Sequence, residues 1–205
     1  MGLLNDVFGP SKNEIWSQLA AELGGEHKAD GMMKSGGVRC QHKQWEFVLD
    51  TCVVDSGKVT KQYTRMRAPF INKDGLYVKL YRKDFLTGIR SFFGMHDIKI
   101  GDDYFDEQFI IKGNNAPKIR QLLADPRLKQ LIDQQPRISL EIKDDQGVFG
   151  AAFPEGVDEI VFLAIGVMKD LDKLMGLFEL FATLLERLVR IDSAYEDDPG
   201  VKLSY

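Results

Sequence analysis

Residues 169–191 read KDLDKLMGLFELFATLLERLVRI. Lys169, Asp172, Gly176, Glu179, Thr183, Glu186 and Arg190 recur at spacings of three and four, which places them on one narrow stripe of a helix. The opposite arc carries Leu171, Leu174, Met175, Phe178, Phe181, Ala182, Leu185, Leu188 and Val189. Leu177, Leu180, Leu184 and Ile191 widen that apolar side beyond a simple core-facing stripe. A helix of this kind needs cover on two flanks, from its own domain or from another chain. A homodimer or partner contact through Leu177, Leu180, Leu184 and Ile191 is therefore one expectation. The other is a helix packed across a sheet with a second helix on its flank.

The rest of the chain supplies both. Ser11-Lys12-Asn13-Glu14 is a capping box, opening a helix that buries Ile15, Trp16, Leu19, Ala20 and Leu23 and stops at Gly24-Gly25. From Val38 the period changes to two. Trp45, Phe47, Leu49, Thr51 and Val53 alternate with Glu46, Val48, Asp50 and Cys52, which predicts a strand. A hairpin turning at Lys43-Gln44 sets Cys40 opposite Phe47. Asp55-Ser56-Gly57-Lys58 turns into a strand over 59–68 that Pro69 is expected to end, and 76–82 is the next strand. Residues 105–112 read as a strand, while Phe85, Leu86, Ile89, Phe92 and Phe93 suit a short helix. Asn115-Ala116-Pro117 and Asp125-Pro126 each start a short helix with proline at its first turn. Residues 137–143, 148–153 and 159–167 complete the strands. Short turns favour antiparallel pairing. The expected fold is α+β: a mainly antiparallel sheet of about six to eight strands, an N-terminal helix, two short central helices and the long C-terminal helix.

A chain of 205 residues with 44% hydrophobic and 28% charged residues fits a single globular domain over 1–205, with 1–10 as a flexible arm and 192–205 as a polar tail. The net charge of −4 gives no bulk attraction to nucleic acid, which is not an expected partner. Ile160–Met168, the longest apolar run, falls far short of the roughly 20 residues of a membrane span. The first residues lack a basic region and cleavage site, so a soluble cytoplasmic protein is expected.

Four groups of residues bear on chemistry. Lys61, Tyr63, Arg65 and Arg67 share one strand face, and Tyr77, Lys79, Tyr81 and Lys83 share another. Were the two strands paired, Lys61, Arg65, Arg67, Tyr77 and Lys79 would form a basic-aromatic surface for a polyanion, a phosphate strand or an anionic lipid headgroup. The segment 96–107 gathers His96, Asp97, Asp102 and Asp106, the residue types of a general base or a metal-dependent hydrolase, although the same residues build turns. Cys40, His42 and Cys52 do not suit zinc or a disulfide. Cys52 lies five residues beyond the partner of Cys40, about 16 Å along the strand at roughly 3.3 Å per residue. Ser56-Gly57-Lys58-Val59-Thr60 lacks the upstream glycine and the helix of a phosphate loop. No metal or other cofactor is expected. The expected function is non-enzymatic binding or protein interaction.

Tyr63-Thr64-Arg65-Met66-Arg67-Ala68-Pro69-Phe70, Gly94-Met95-His96-Asp97-Ile98 and 105–113 together resemble an uncharacterised family of bacterial cytosolic proteins. The resemblance implies a non-secreted bacterial protein. It implies no activity, cofactor or catalytic residue.

Overall fold

The computed structural model describes residues 9–31, 36–55, 60–83, 97–135, 138–144 and 153–205. Residues 148–152 of the strand expected over 148–153, the short helix around 85–93 and His96 lie outside them, while Phe153 belongs to no strand. The elements run α1 (Lys12–Leu23), β1 (Glu26–Lys28), β2 (Gly37–His42), β3 (Trp45–Asp55), β4 (Thr60–Ile71), β5 (Val78–Arg82), α2 (Asp103–Gln108), β6 (Phe109–Gly113), α3 (Ala116–Leu122), α4 (Pro126–Gln134), β7 (Ser139–Asp144), β8 (Val157–Ile165) and α5 (Leu171–Arg190). The described strands form one eight-stranded sheet in the order β1-β2-β3-β4-β8-β7-β5-β6, with every pairing antiparallel. The fold is α+β.

One face of the sheet carries the core. Leu49, Met66, Phe162, Leu140, Leu80 and Ile111 follow one another across six strands as register partners, all buried. The alternation of period two puts these residues on one side and their neighbours on the other. The helices cover this side, and their buried Trp16, Leu19, Ile119, Leu122, Leu128, Leu131 and Ile132 join the same cluster. The capping box of α1 is formed, with Glu14 N–H donating to Ser11 Oγ and Ser11 N–H to Glu14 Oε2. Gly24 ends α1 at φ 63°, a conformation that favours glycine.

Helix α5 is anchored at both ends. Asp170 caps it by accepting from Lys173 N–H at 3.1 Å. Arg187 and Arg190 fill the last turn, where cations complement the helix dipole. The approach to α5 is held by Thr64, whose hydroxyl donates to Gly166 O and accepts from Met168 N–H, both at 2.8 Å. Trp16 Nε1 donates to Met168 O at 3.0 Å and ties α1 to the same connection.

Several local expectations are corrected. Residues 105–112 are not one strand: Asp102 caps the short helix α2, and β6 begins only at Phe109. Strand β4 does not end at Pro69 but continues to Ile71. Its pairing with β3 stops at Val48↔Arg67, so β4 has edge character at Pro69, and there a missing N–H is tolerated. Residues 192–205 are not a solvated tail. Ser193, Ala194, Pro199 and Leu203 are buried, and Ala194 forms a bridge with Asn72. Among the described residues no helix is long and apolar enough to cross a membrane.

Candidate functional site

The apolar flank of α5 is covered at home. Leu177 and Leu180 are 0% exposed, Leu184 2% and Ile191 5%, all within the core shared by the sheet, α1 and α4. The surface expected to reach another chain is therefore not a surface. The wide apolar arc exists because α5 is flanked by helices as well as backed by strands.

The basic strands are not neighbours. β8 and β7 lie between β4 and β5, because strands late in the chain return to the middle of the sheet. Arg67 and Lys79 do share a face and a cross-strand row, which runs Arg39, Val48, Arg67, Val161, Glu141, Lys79, Lys112. Three strand spacings still separate them by about 14 Å. Carboxylates also interleave with the cations. Arg65 and Arg67 both bind Asp50, Lys79 lies 3.2 Å from Glu141, and Tyr77 Oη donates to Glu141 at 2.9 Å. Lys61 is engaged in interactions of its own near the hairpin end. The face is a mixed-charge lattice and not a cationic platform.

The acidic segment builds structure. Asp102 accepts from Phe105 N–H at 3.1 Å and pairs with Lys129, whose hydrogen bond holds the carboxyl below its ordinary range. Asp106 accepts from the N–H groups of Ile100 and Gly101 at 3.0 and 3.1 Å. Asp97 is 55% exposed and 3.8 Å from Lys112. Among the described residues no three His, Cys, Asp or Glu side chains converge as metal ligands would.

A cleft of about 480 Å³ opens beside α5, over Asp172, Gly176 and Glu179 of its polar and small stripe. Asp172, Met175, Gly176, Phe178, Glu179 and Ala182 of α5 form one side of it. Leu23 at the end of α1, the β2–β3 hairpin residues Cys40, Gln41, His42 and Phe47, and Gln134 at the end of α4 complete the lining. Phe47 and Phe178 are buried and supply an apolar floor, while Gln41, Gln134, Asp172 and Glu179 are exposed at the rim. The hairpin residues are placed by the register Cys40↔Phe47 and His42↔Trp45, the first of which the turn at Lys43-Gln44 led one to expect.

His42 stacks on Phe47 with ring centroids 5.9 Å apart, and its Nε2 lies 3.2 Å from Glu186 Oε1. Burial works to raise the Glu186 carboxyl, but hydrogen bonds from His42 and Lys43 outweigh it and hold Glu186 below its ordinary range. Glu179 is bound by Arg127 at 2.5 Å. Asp172 has no ion-pair partner among the described residues. Burial pushes the Cys40 thiol up to about 12, so it stays protonated and is a poor nucleophile at neutral pH.

Gly176 is the unexpected member. A glycine inside a helix costs roughly 0.5–1 kcal/mol relative to alanine. The fold does not require it, since an added Cβ would meet only the ends of Gln135 and Gln134, at 3.6 and 3.9 Å. Its bare Cα lines the cleft, with the ends of Gln135 and Gln134 at ordinary contact distance from where a Cβ would stand. Leu23, Gln41, Gln134, Met175 and Ala182 were not legible as site residues, because nothing in their spacing brings four distant segments together. Glycine in the middle of an otherwise strong helix was the signal available.

No family model and no curated protein matches this chain. Among solved structures, the fold is similar to the crystal structure of the mycobacterial trehalose monomycolate transport factor A, TtfA, with a TM-score of 0.52. The match covers 88% of this chain and 95% of that one at 11% identity, which makes it a likeness of fold alone.

Proposed function

We propose that this protein is a non-enzymatic binding module whose ligand site is the cleft beside α5. The ligand is an amphipathic small molecule. Its apolar body lies against Phe47, Met175 and Phe178, and its hydroxyl or ammonium donors face Asp172, Glu179, Gln41 and Gln134. The observation that carries the reading is the cleft itself, about 480 Å³ with a buried aromatic floor and an acidic, amide-bearing rim. That size lies within the roughly 300–1,000 Å³ of small-molecule sites, and a mostly apolar wall with a few polar groups is their usual chemistry.

Two further points support it. Cys40 is disfavoured as a catalytic nucleophile because burial keeps its thiol protonated. TtfA, of similar fold, is a trehalose monomycolate transport factor, which is compatible with a binding rather than a catalytic role for the fold here. Titration with an alkyl glycoside and with an alkylammonium of equal chain length tests the proposal and separates hydroxyl from cationic heads. Saturable binding that Gly176→Leu weakens at least tenfold supports it. Binding of neither probe to the folded protein sinks it.

A further inference from the structure

Among the described residues, the helices join the core on the first face of the sheet, and part of the second face is closed by the chain's own residues 199–205. This segment belongs to no helix or strand. Arg39 Nη2 donates to Leu203 O at 2.6 Å, and Arg67 Nη2 donates to Ser204 O. The Leu203 side chain is buried. The Tyr205 ring lies 5.1 Å from the Arg39 guanidinium and 6.0 Å from Lys28 Nζ, and it packs on Gly37, where a Cβ would run into the ring. Val48 lies between Arg39 and Arg67 in the same cross-strand row and is fully buried.

These contacts define a recognition chemistry. Two arginines read main-chain carbonyls, which any peptide offers. One aliphatic and one aromatic side chain, two residues apart, supply the specificity. We propose that this face of β2–β4 is a docking groove for an extended peptide with an aliphatic residue followed two positions later by an aromatic one. Residues 199–205 are its resident, exchangeable occupant. A partner's peptide of the same pattern displaces them, read by its main-chain carbonyls and its two side chains rather than by net charge, since Arg39 and Arg67 are also paired with Glu46 and Asp50. The segment contributes no strand to the sheet, so its exchange leaves the strand pairing in place. The inference does not depend on the α5 cleft.

The test uses the full chain and a fluorescein-labelled peptide of residues 197–205, followed by fluorescence anisotropy. Tyr205→Ala loosens the resident segment without touching the groove, and it is expected to bind the peptide at least tenfold more tightly than the wild type. Arg39→Gln added to Tyr205→Ala should weaken that binding at least tenfold, with thermal melts showing that both variants fold. Leu203→Asp is a second way to release the segment and should bind like Tyr205→Ala. The proposal is overturned if neither released variant binds more tightly than the wild type. It is equally overturned if Arg39→Gln leaves binding unchanged.

Discussion

Both carboxylate oxygens of Asp50 accept from Arg65, Oδ1 from Nε at 2.8 Å and Oδ2 from Nη2 at 2.7 Å, although Asp50 has no exposed surface. Arg67 adds a third hydrogen bond to Oδ2 at 2.9 Å. One buried carboxylate thus compensates two guanidinium groups at the centre of the second sheet face. Removing one partner of a buried ion pair leaves an uncompensated charge, at a cost of about 3–5 kcal/mol. Asp50→Ala should lower the unfolding free energy by about that amount in urea titrations. A loss below about 1 kcal/mol would mean that the arginines find solvent instead.

The same geometry limits what the basic residues can do outside the protein. Arg65→Ala plus Arg67→Ala is expected to leave Asp50 buried and alone, and so to reduce stability. Polyanion binding by the wild type should be weak even at low salt, because these cations are already paired. Strong heparin retention that falls steeply with salt would contradict this.

Leu180 sits at 0% exposure on the flank of α5 where a partner contact was first expected. Leu180→Glu should therefore abolish folding rather than dissociate an oligomer, and Leu180→Ala should cost about 2–5 kcal/mol. Circular dichroism and sedimentation together distinguish the two outcomes. A folded Leu180→Glu monomer obtained from a wild-type dimer would show that the flank is an interface after all.

What could be read from the sequence followed from local rules. The capping box at Ser11, the Cys40↔Phe47 register and the length of α5 each depend on residues a few positions apart. The interleaving of β8 and β7 between β4 and β5 could not be read in this way, since antiparallel strands pair equally well with near or distant segments. The apolar width of Leu177, Leu180 and Leu184 was legible, but not who covers it. The tail misled because its buried residues, Ser193, Ala194, Pro199 and Leu203, are scattered among charges without a period. The cleft was illegible because Leu23, Gln134 and Gly176 meet only through the packing of α1 and α4 beside α5.

Burial raises the Cys40 thiol from an ordinary 9.0 to about 12, which makes a pH prediction with a definite sign. Between these values the unfolded chain gives up a proton that the folded chain keeps. Stability is then fully present below pH 9.0 and falls as the pH rises toward 12. The Tyr77 hydroxyl, raised by its burial and by Glu141, acts in the same direction. Cys40→Ala should flatten the alkaline decline in urea midpoints. An identical slope in the variant would remove Cys40 from the explanation.

Gly176 offers two opposite outcomes from one position. Gly176→Ala should stabilise the protein by about 0.5–1 kcal/mol, because the helix gains propensity and the neighbours stand at ordinary contact distance. Gly176→Leu must shift the ends of Gln134 and Gln135 to fill the cleft, so a thermal melt accompanies the binding measurement to show that the variant folds. Loss of stability in Gly176→Ala would show that the fold, and not a ligand, requires the glycine.

The most direct measurement is an NMR titration of the wild type and Gly176→Leu with an octyl glycoside below its micelle concentration. Saturable shifts are expected at His42, Phe47, Met175, Gly176 and Ala182 in the wild type and are expected to be absent from the variant. Shifts of equal size in both proteins, or shifts confined to residues outside the cleft, would contradict the assignment of the binding site to α5.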